Sequence, residues 1–272
     1  MLTILAYHQI AQVPPEHDPA GLTVSPHRFA QQMAYLYTAG YQCLSLQDAL
    51  RYWREGQRPP RKSFVLTFDD GYQDVYTTVW PILECFGFTA TIFLVAGRVG
   101  EQSIWQRQRG AQTDPLMSWT AIRQLQQAGF DFGNHTLTHP YLPALNDQQV
   151  RDGITRAKAM LEDQLGAPVP FFCYPYNASD ARIQQLVAES GHQAACSNNR
   201  GKWSFYNIWR TECKRHDTLQ SFAWKLSRRH QQLIWLQQQP AFSRAFVSLV
   251  KAAHDKLRQN RSLLPSITAL LR

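Results

Sequence analysis

No run in the 272-residue sequence approaches the ~18 uninterrupted apolar residues of a membrane-spanning helix. The N-terminal MLTILAYHQI lacks a basic segment and its apolar run is cut by His8, so neither a signal peptide nor a membrane span is predicted. The five cysteines, Cys43, Cys85, Cys173, Cys196 and Cys213, are odd in number, widely spaced and without a Cys-x-x-Cys pair. That excludes a zinc-finger spacing or an evident disulfide framework and suits buried or idle thiols in a reducing compartment. With only 14 Gly and 15 Pro the chain is neither collagen nor a flexible linker, and 44% hydrophobic with 12% aromatic residues excludes a disordered one. There is no internal repeat, and low complexity is limited to short Gln runs near the C-terminus.

What the chain does have is room for one large or two modest domains, at roughly 150 residues per domain. Its formal charge of +8 is unevenly placed. Residues 210–272 hold twelve Lys/Arg against Glu212, Asp217 and Asp255, a balance of +9, which leaves −1 on residues 1–209. A near-neutral body with a basic tail argues against a nucleic-acid binder.

Short β-rich apolar runs alternate with amphipathic stretches, the pattern of an α/β protein with a mostly parallel sheet. Strands are predicted at 3–6, 64–68, 90–95, 130–133, 171–174, 194–197 and 208–211. Between them Phe29, Met33 and Leu36 share a helix face that stops at Gly40, and Ile122 and Leu125 precede Gly129. A helix over 147–165 starts after Asn146, an N-cap with Gln149 three residues on, and stops at Gly166. Pro59-Pro60 and residues 97–116 read as surface loops.

Four clusters sit at predicted strand ends. Asp69-Asp70-Gly71 follows the run Phe64-Val65-Leu66. Adjacent acids point different ways, so one can hold a cation while the other stays free as a base, although Asp-Asp-Gly by itself also makes an ordinary turn. His135 and His139 are four apart, as on one side of a helical turn, and Thr136 between them rules out a His-Glu-x-x-His metalloprotease. With one Asp they would form a two-His, one-carboxylate set with open positions, suited to Zn²⁺ or Fe²⁺; without one they are a structural or exposed pair. Phe171-Phe172-Cys173-Tyr174-Pro175-Tyr176-Asn177 is either an aromatic core strand with a stop or a wall offering backbone N–H groups to an oxyanion and ring faces to a sugar. The fourth is Tyr7-His8 at the end of the first strand.

Taken in order, LTFDDGY (66–72), HTLTH (135–139) and YPYN (174–177) resemble the polysaccharide deacetylases of carbohydrate esterase family 4, the nodulation-factor deacetylase domain, over roughly residues 2–212. AYHQI (6–10) and SPHRFAQQMAYLYTAGY (25–41) look like the branch that deacetylates poly-N-acetylglucosamine, in which the barrel order is permuted and the first strand supplies the acid. The resemblance implies a deformed (β/α)7 barrel, placed over residues 1–217; beyond it, residues 218–272 read from their own pattern as a basic helical C-terminal extension. It implies Asp70, His135 and His139 as ligands of a divalent ion, Zn²⁺ first, with Fe²⁺, Co²⁺ or Ni²⁺ as alternatives. Asp69 would be the general base, His8 the acid that protonates the departing amine, and Tyr174, Pro175 and Tyr176 the oxyanion and substrate wall. Many members carry an Arg where Cys173 stands, to steady the catalytic Asp; Arg210 is expected to supply that charge. Asn177 stands where the family often has Gly.

The expected activity is removal of N-acetyl groups from an amino-sugar polysaccharide, oligosaccharide or lipid-linked glycan. The alternatives are hydrolysis of another linear amide or peptidoglycan sugar, or a carbohydrate-binding module whose catalysis has lapsed, against which the intact His8, Asp69, Asp70, His135 and His139 argue. An N-acetylated glycan and no nucleic acid is the expected partner. Phe242, Phe246, Leu249, Val250, Ala253 and Leu257 recur at helical spacing among Arg244, Lys251, Lys256 and Arg258, as in a helix packed on the barrel or a basic face meeting anionic lipid or acidic glycan. The lack of an export signal favours the cytoplasm or an inner membrane face, whereas related deacetylases often act outside.

Overall fold

In the computed structural model, residues 2–105, 113–198, 202–227 and 229–230 are described. The chain divides into two units, Met1–Ser227 and Arg228–Arg272, and the architecture here is that of the first. The helix predicted over 242–257 lies outside the described residues. Among the described residues no helix is long and apolar enough to cross a membrane.

The strands run, in chain order, β1 (Thr3–Tyr7), β2 (Gln9–Ile10), β3 (Thr23–Val24), β4 (Gln42–Cys43), β5 (Ser63–Phe68) and β6 (Thr91–Leu94). They continue as β7 (Asp131–Asn134), β8 (Phe171–Cys173), β9 (Ala194–Ser197), β10 (Ile208–Trp209) and β11 (Thr211–Glu212). The main sheet is parallel, in the order β10, β9, β8, β7, β6, β5, β1, β11, with β4 also paired to β5; β2 and β3 form a small separate sheet. Its two ends are consecutive in the chain. Ile208 registers with Cys196 of β9 and Thr211 with Leu5 of β1, so the single stretch 208–212 joins both edges and closes a seven-stave barrel. Each stave coincides with one of the seven predicted runs. They were legible because a parallel strand covered on both faces must be apolar at nearly every position.

Alternation then sorts the side chains. Ile4, Val65, Phe93, Phe171, Cys173, Ala194, Cys196 and Ile208 form one interior cluster. Their neighbours Leu5, Leu66, Phe68, Ile92 and Leu94 pack outward against the helices. Gly133 of β7 sits beside Phe93, where an added Cβ would lie 2.4 Å from the ring, so this stave leaves its interior space to the neighbouring Phe. Helices α1 (Pro26–Thr38), α2 (Leu46–Arg54), α3 (Trp80–Glu84), α4 (Trp119–Gln127), α5 (Asp147–Leu165), α6 (Ala181–Glu189) and α7 (Leu219–Leu226) cover the barrel. Six of them start on a side-chain N-cap: Ser25, Ser45, Ser118, Asn146, Asp180 and Thr218. On α5 the Asn146 and Gln149 capping box predicted from sequence forms in full. Because every stave is parallel, residues 8, 69, 135, 173, 198 and 210 follow or end strands on one and the same rim.

Candidate active site

The two acids after β5 separate because the backbone turns sharply between them. Asp69 N–H donates to Tyr7 O at 3.0 Å, which holds it to the end of β1. Asp70 is left-handed at φ 73°, and so is Gly71 at φ 79°, where a Cβ would come within 2.7 Å of Leu94 Cδ2. Of the six described non-glycine residues with positive φ, five are Asp70, Thr136, His139, Tyr176 and Asn177. Backbone strain is thus concentrated on the rim that carries the functional side chains.

Asp69 is gripped by Arg210. Arg210 Nη1 and Nη2 donate to the two Asp69 oxygens, both at 2.7 Å, with the guanidinium side chain fully buried. The same guanidinium donates to Thr67 Oγ1 at 3.1 Å, to Asn198 Oδ1 at 3.1 Å and to Cys173 Sγ at 3.1 Å. Cys173 therefore leaves room for a guanidinium that arrives from the closing stave, two strands away. Burial raises the Asp69 carboxyl, but the charge and hydrogen bonds of Arg210, then the His8 and His135 rings, outweigh it and hold the group at about 2. Asn198, which sequence reasoning did not single out, ties three pieces together: besides holding Arg210 it donates from Nδ2 to Glu212 at 3.1 Å, and its N–H donates to Asn177 Oδ1 at 2.9 Å. Its available signal was a polar residue directly after a predicted strand.

Asp70 belongs to the histidines. His135 Nε2 and His139 Nε2 each lie 3.3 Å from Asp70 Oδ1, all three groups being buried. The two rings come together on a tight non-helical turn, not on the helical turn expected from their spacing. The turn is built by side chains: Asn134 Oδ1 accepts from Thr136 N–H at 2.8 Å, and Thr136 Oγ1 accepts from His139 N–H at 3.0 Å. His135 Nδ1 lies 2.7 Å from Cys173 O, which can only accept, so Nδ1 carries the proton and Nε2 presents its lone pair. Trp105 Nε1 donates to Asp70 Oδ2 at 3.3 Å. The stretch 97–116, expected as a surface loop, thus sends a buried Trp into the site; an Ile104-Trp105 pair in otherwise polar sequence was the overlooked sign.

These residues fit a divalent ion. Their three ligand atoms lie within 4.8 Å of one another, and the buried Asp70 Oδ1 has no hydrogen-bond partner. A second trio, Asp69, His135 and Cys173, is equally close, yet it does not suit a cation. Both Asp69 oxygens are taken by a guanidinium, and burial pushes the Cys173 thiol up to about 11, which keeps it neutral. The Asp70, His135 and His139 set with open positions matches the donors of catalytic Zn²⁺ or Fe²⁺.

Behind the histidine turn stands His192. Asn134 Nδ2 donates to Ile154 O at 3.0 Å and faces His192 Nε2 at 3.2 Å, so Nε2 accepts and Nδ1 donates to Ser190 Oγ at 2.8 Å. A neutral ring is required, and burial followed by the Lys158 ammonium pushes it down to about 3. Between the ordinary value near 6.5 and about 3 only the unfolded chain takes up this proton, so stability is full at neutral pH and falls on acidification. From about pH 7.5 to about pH 5 this group is expected to cost about 2 kcal/mol, and urea titrations should show that loss removed in His192→Gln.

His8, at the end of β1, places Nε2 3.7 Å from Asp69 Oδ2. Across the cleft Tyr176 is left-handed at φ 58°, its ring centroid 4.5 Å from that of His139. Asn177 is left-handed too, at φ 55°. That explains a residue standing where Gly is frequent: Asn tolerates this conformation better than most side chains. Pro175 is buried, and the buried Tyr174 has its hydroxyl committed to Tyr206 O at 2.7 Å, so it lines the cleft without offering that group.

The sequence profile of the polysaccharide deacetylases matches residues 56–195, just over half of the chain. The chain belongs to the polysaccharide deacetylase family. Members are hydrolases of linear amides, and the chain is an enzyme of that kind. It is similar to the Bacillus subtilis protein YxkH, named for the same family, with 24% identity over 76% of this chain and 70% of that one. It also resembles the poly-beta-1,6-N-acetyl-D-glucosamine N-deacetylase of Escherichia coli, with 30% identity over 46% of this chain and 19% of that protein. Among solved structures the Streptococcus pyogenes deacetylase PplD superposes with a TM-score of 0.72 at 24% identity, covering 83% of this chain and 98% of that one. The barrel is the fold they share. The family profile covers Asp69, Asp70, His135, His139 and the Tyr174-Pro175-Tyr176 turn, while His8 and Arg210 lie outside it.

Proposed function

We propose that the chain removes N-acetyl groups from an amino-sugar glycan, releasing acetate and a free amine, with poly-β-1,6-N-acetylglucosamine as the leading substrate. The observation that carries this reading is the division of labour between adjacent acids: Asp69 is locked to Arg210 while Asp70 faces His135 and His139. A divalent ion held by Asp70, His135 and His139 would polarise the acetamide carbonyl and acidify the attacking water. Asp69 takes a proton from that water. Arg210 keeps Asp69 ionised and aimed, at the expense of base strength. The turn at Tyr176 contributes a backbone N–H to the oxyanion. His8, on the other side of Asp69, protonates the departing amine. The Escherichia coli relative, a poly-beta-1,6-N-acetyl-D-glucosamine N-deacetylase, supports the choice of sugar.

Metal analysis of the purified protein and acetate release from N-acetylglucosamine oligomers test the proposal together. Bound divalent ion, acetate release and loss of that release on chelation are expected. A metal-free protein that frees no acetate from any acetylated glycan would sink it.

A further inference from the structure

The cleft at the rim encloses about 210 Å³, less than the roughly 300–1,000 Å³ that surround a drug-sized ligand. One acetylated sugar fills such a space, so the remaining sugars of any glycan must lie on the rim. There the molecule has an aromatic series. Trp105 stacks on His139 with centroids 4.6 Å apart, His139 meets Tyr176 at 4.5 Å, and Tyr176 is followed outward by Tyr141 at 6.4 Å and an interplanar angle of 51°. The first two are buried; Tyr141 is 55% exposed.

Exposure does not make Tyr141 loose. Its carbonyl accepts from Ala144 N–H at 3.1 Å, and the next residue, Leu142, is buried against Val150 and Ile154 of α5. The backbone that carries the ring is thus anchored on both sides of Tyr141, and the exposed ring stands beside Tyr176, two residues beyond His139. Single exposed aromatics need no explanation, but one that extends the wall of a catalytic cleft does.

We propose that Tyr141 is the stacking platform for the pyranose ring next to the one whose acetamido group enters the cleft. A pyranose presents C–H bonds, weakly positive at hydrogen, on its flat faces and its hydroxyls at the edge. Such a face suits the negative π-face of Tyr141 while the hydroxyls keep their water. The proposal rests on the deacetylase reading and deepens it by naming the residue that holds the neighbouring sugar, so the preference for oligomer over monomer depends on Tyr141.

Two readouts test it. In kinetics, the ratio of kcat/KM for a β-1,6-linked N-acetylglucosamine pentamer over the monomer should fall about two- to tenfold in Tyr141→Ala, mostly through KM, and be largely restored in Tyr141→Trp. In calorimetry on the Asp69→Asn protein, adding Tyr141→Ala should weaken pentamer binding by the same factor. If acetate is released but neither ratio nor affinity changes, the platform is wrong and the deacetylase reading stands. If no acetate is released yet Tyr141→Ala weakens pentamer binding, the platform stands and the deacetylase reading falls. Loss of the thermal transition in Tyr141→Ala would assign the residue to folding and overturn the platform.

Discussion

Asp69→Asn is expected to lower kcat for acetate release by about 10²–10⁴-fold while divalent-ion content is retained. The reason lies in the separation of the two carboxylates. Asp70 Oδ1 faces His135 and His139, so a substitution at Asp69 leaves that donor set intact. What changes is the group beside His8, 3.7 Å away, and its pairing with Arg210. Asn can still accept one of the two Arg210 hydrogen bonds but no longer neutralises the buried guanidinium. Removing one partner of a buried ion pair costs about 3–5 kcal/mol, so the variant should melt earlier and must be assayed well below its transition. Metal content measured on the same preparation separates the outcomes. Lost activity with retained ion supports Asp69 as the base, whereas retained activity would remove it from that role.

The second large effect concerns the arginine. Arg210→Ala is expected to lower kcat about 10–100-fold, the range for partners that orient a catalytic group, and to destabilise the fold by about 3–5 kcal/mol. Its loss leaves Asp69 buried without its cation, which removes the main influence holding that carboxyl at about 2. Arg215, five residues on, is the control. It meets Asp18 at 3.4 Å and donates to Val13 O, with its side chain 29% exposed and without contact to Asp69. Arg215→Ala should therefore leave kcat nearly unchanged. Equal, small losses in both variants, read from initial rates and urea midpoints, would refute the assignment of Arg210.

The parts of this enzyme that were legible beforehand share a physical cause. Staves β1, β5, β6, β8 and β9 are apolar runs because each is buried at every position, and α1, α4 and α5 announced themselves through apolar spacing and Gly stops. The departures at Cys173 and Asn177 were visible as residue types, but their meaning was not. Cys173 makes sense only once the Arg210 guanidinium is seen at 3.1 Å from its sulfur, and Asn177 only from its φ of 55°. Spacing misled where the backbone leaves regular structure. His135 and His139 meet through two left-handed residues and the Asn134 and Thr136 side chains, which no helical period describes. Trp105 and Asn198 escaped notice for the same reason: neither lies in a periodic element.

The charge distribution is also divided between the two levels. Eight Lys/Arg stand against Asp255 in Arg228–Arg272, a fact of sequence alone. Arg210, Lys214, Arg215 and Lys225 belonged to the same basic stretch on paper, yet each is paired with an acid of the first unit.

By itself the sequence determined the alternation of strands and helices and put an acid, a histidine or an arginine beside the ends of β1, β5, β7 and β10, because burial and periodicity are local properties. Only the tertiary structure decided the partners. The contact between Arg210 and Asp69 spans 141 residues and exists because the stretch 208–212 closes the barrel between β9 and β1. That closure sets which of two neighbouring carboxylates is bound by a guanidinium and which is left to face His135 and His139.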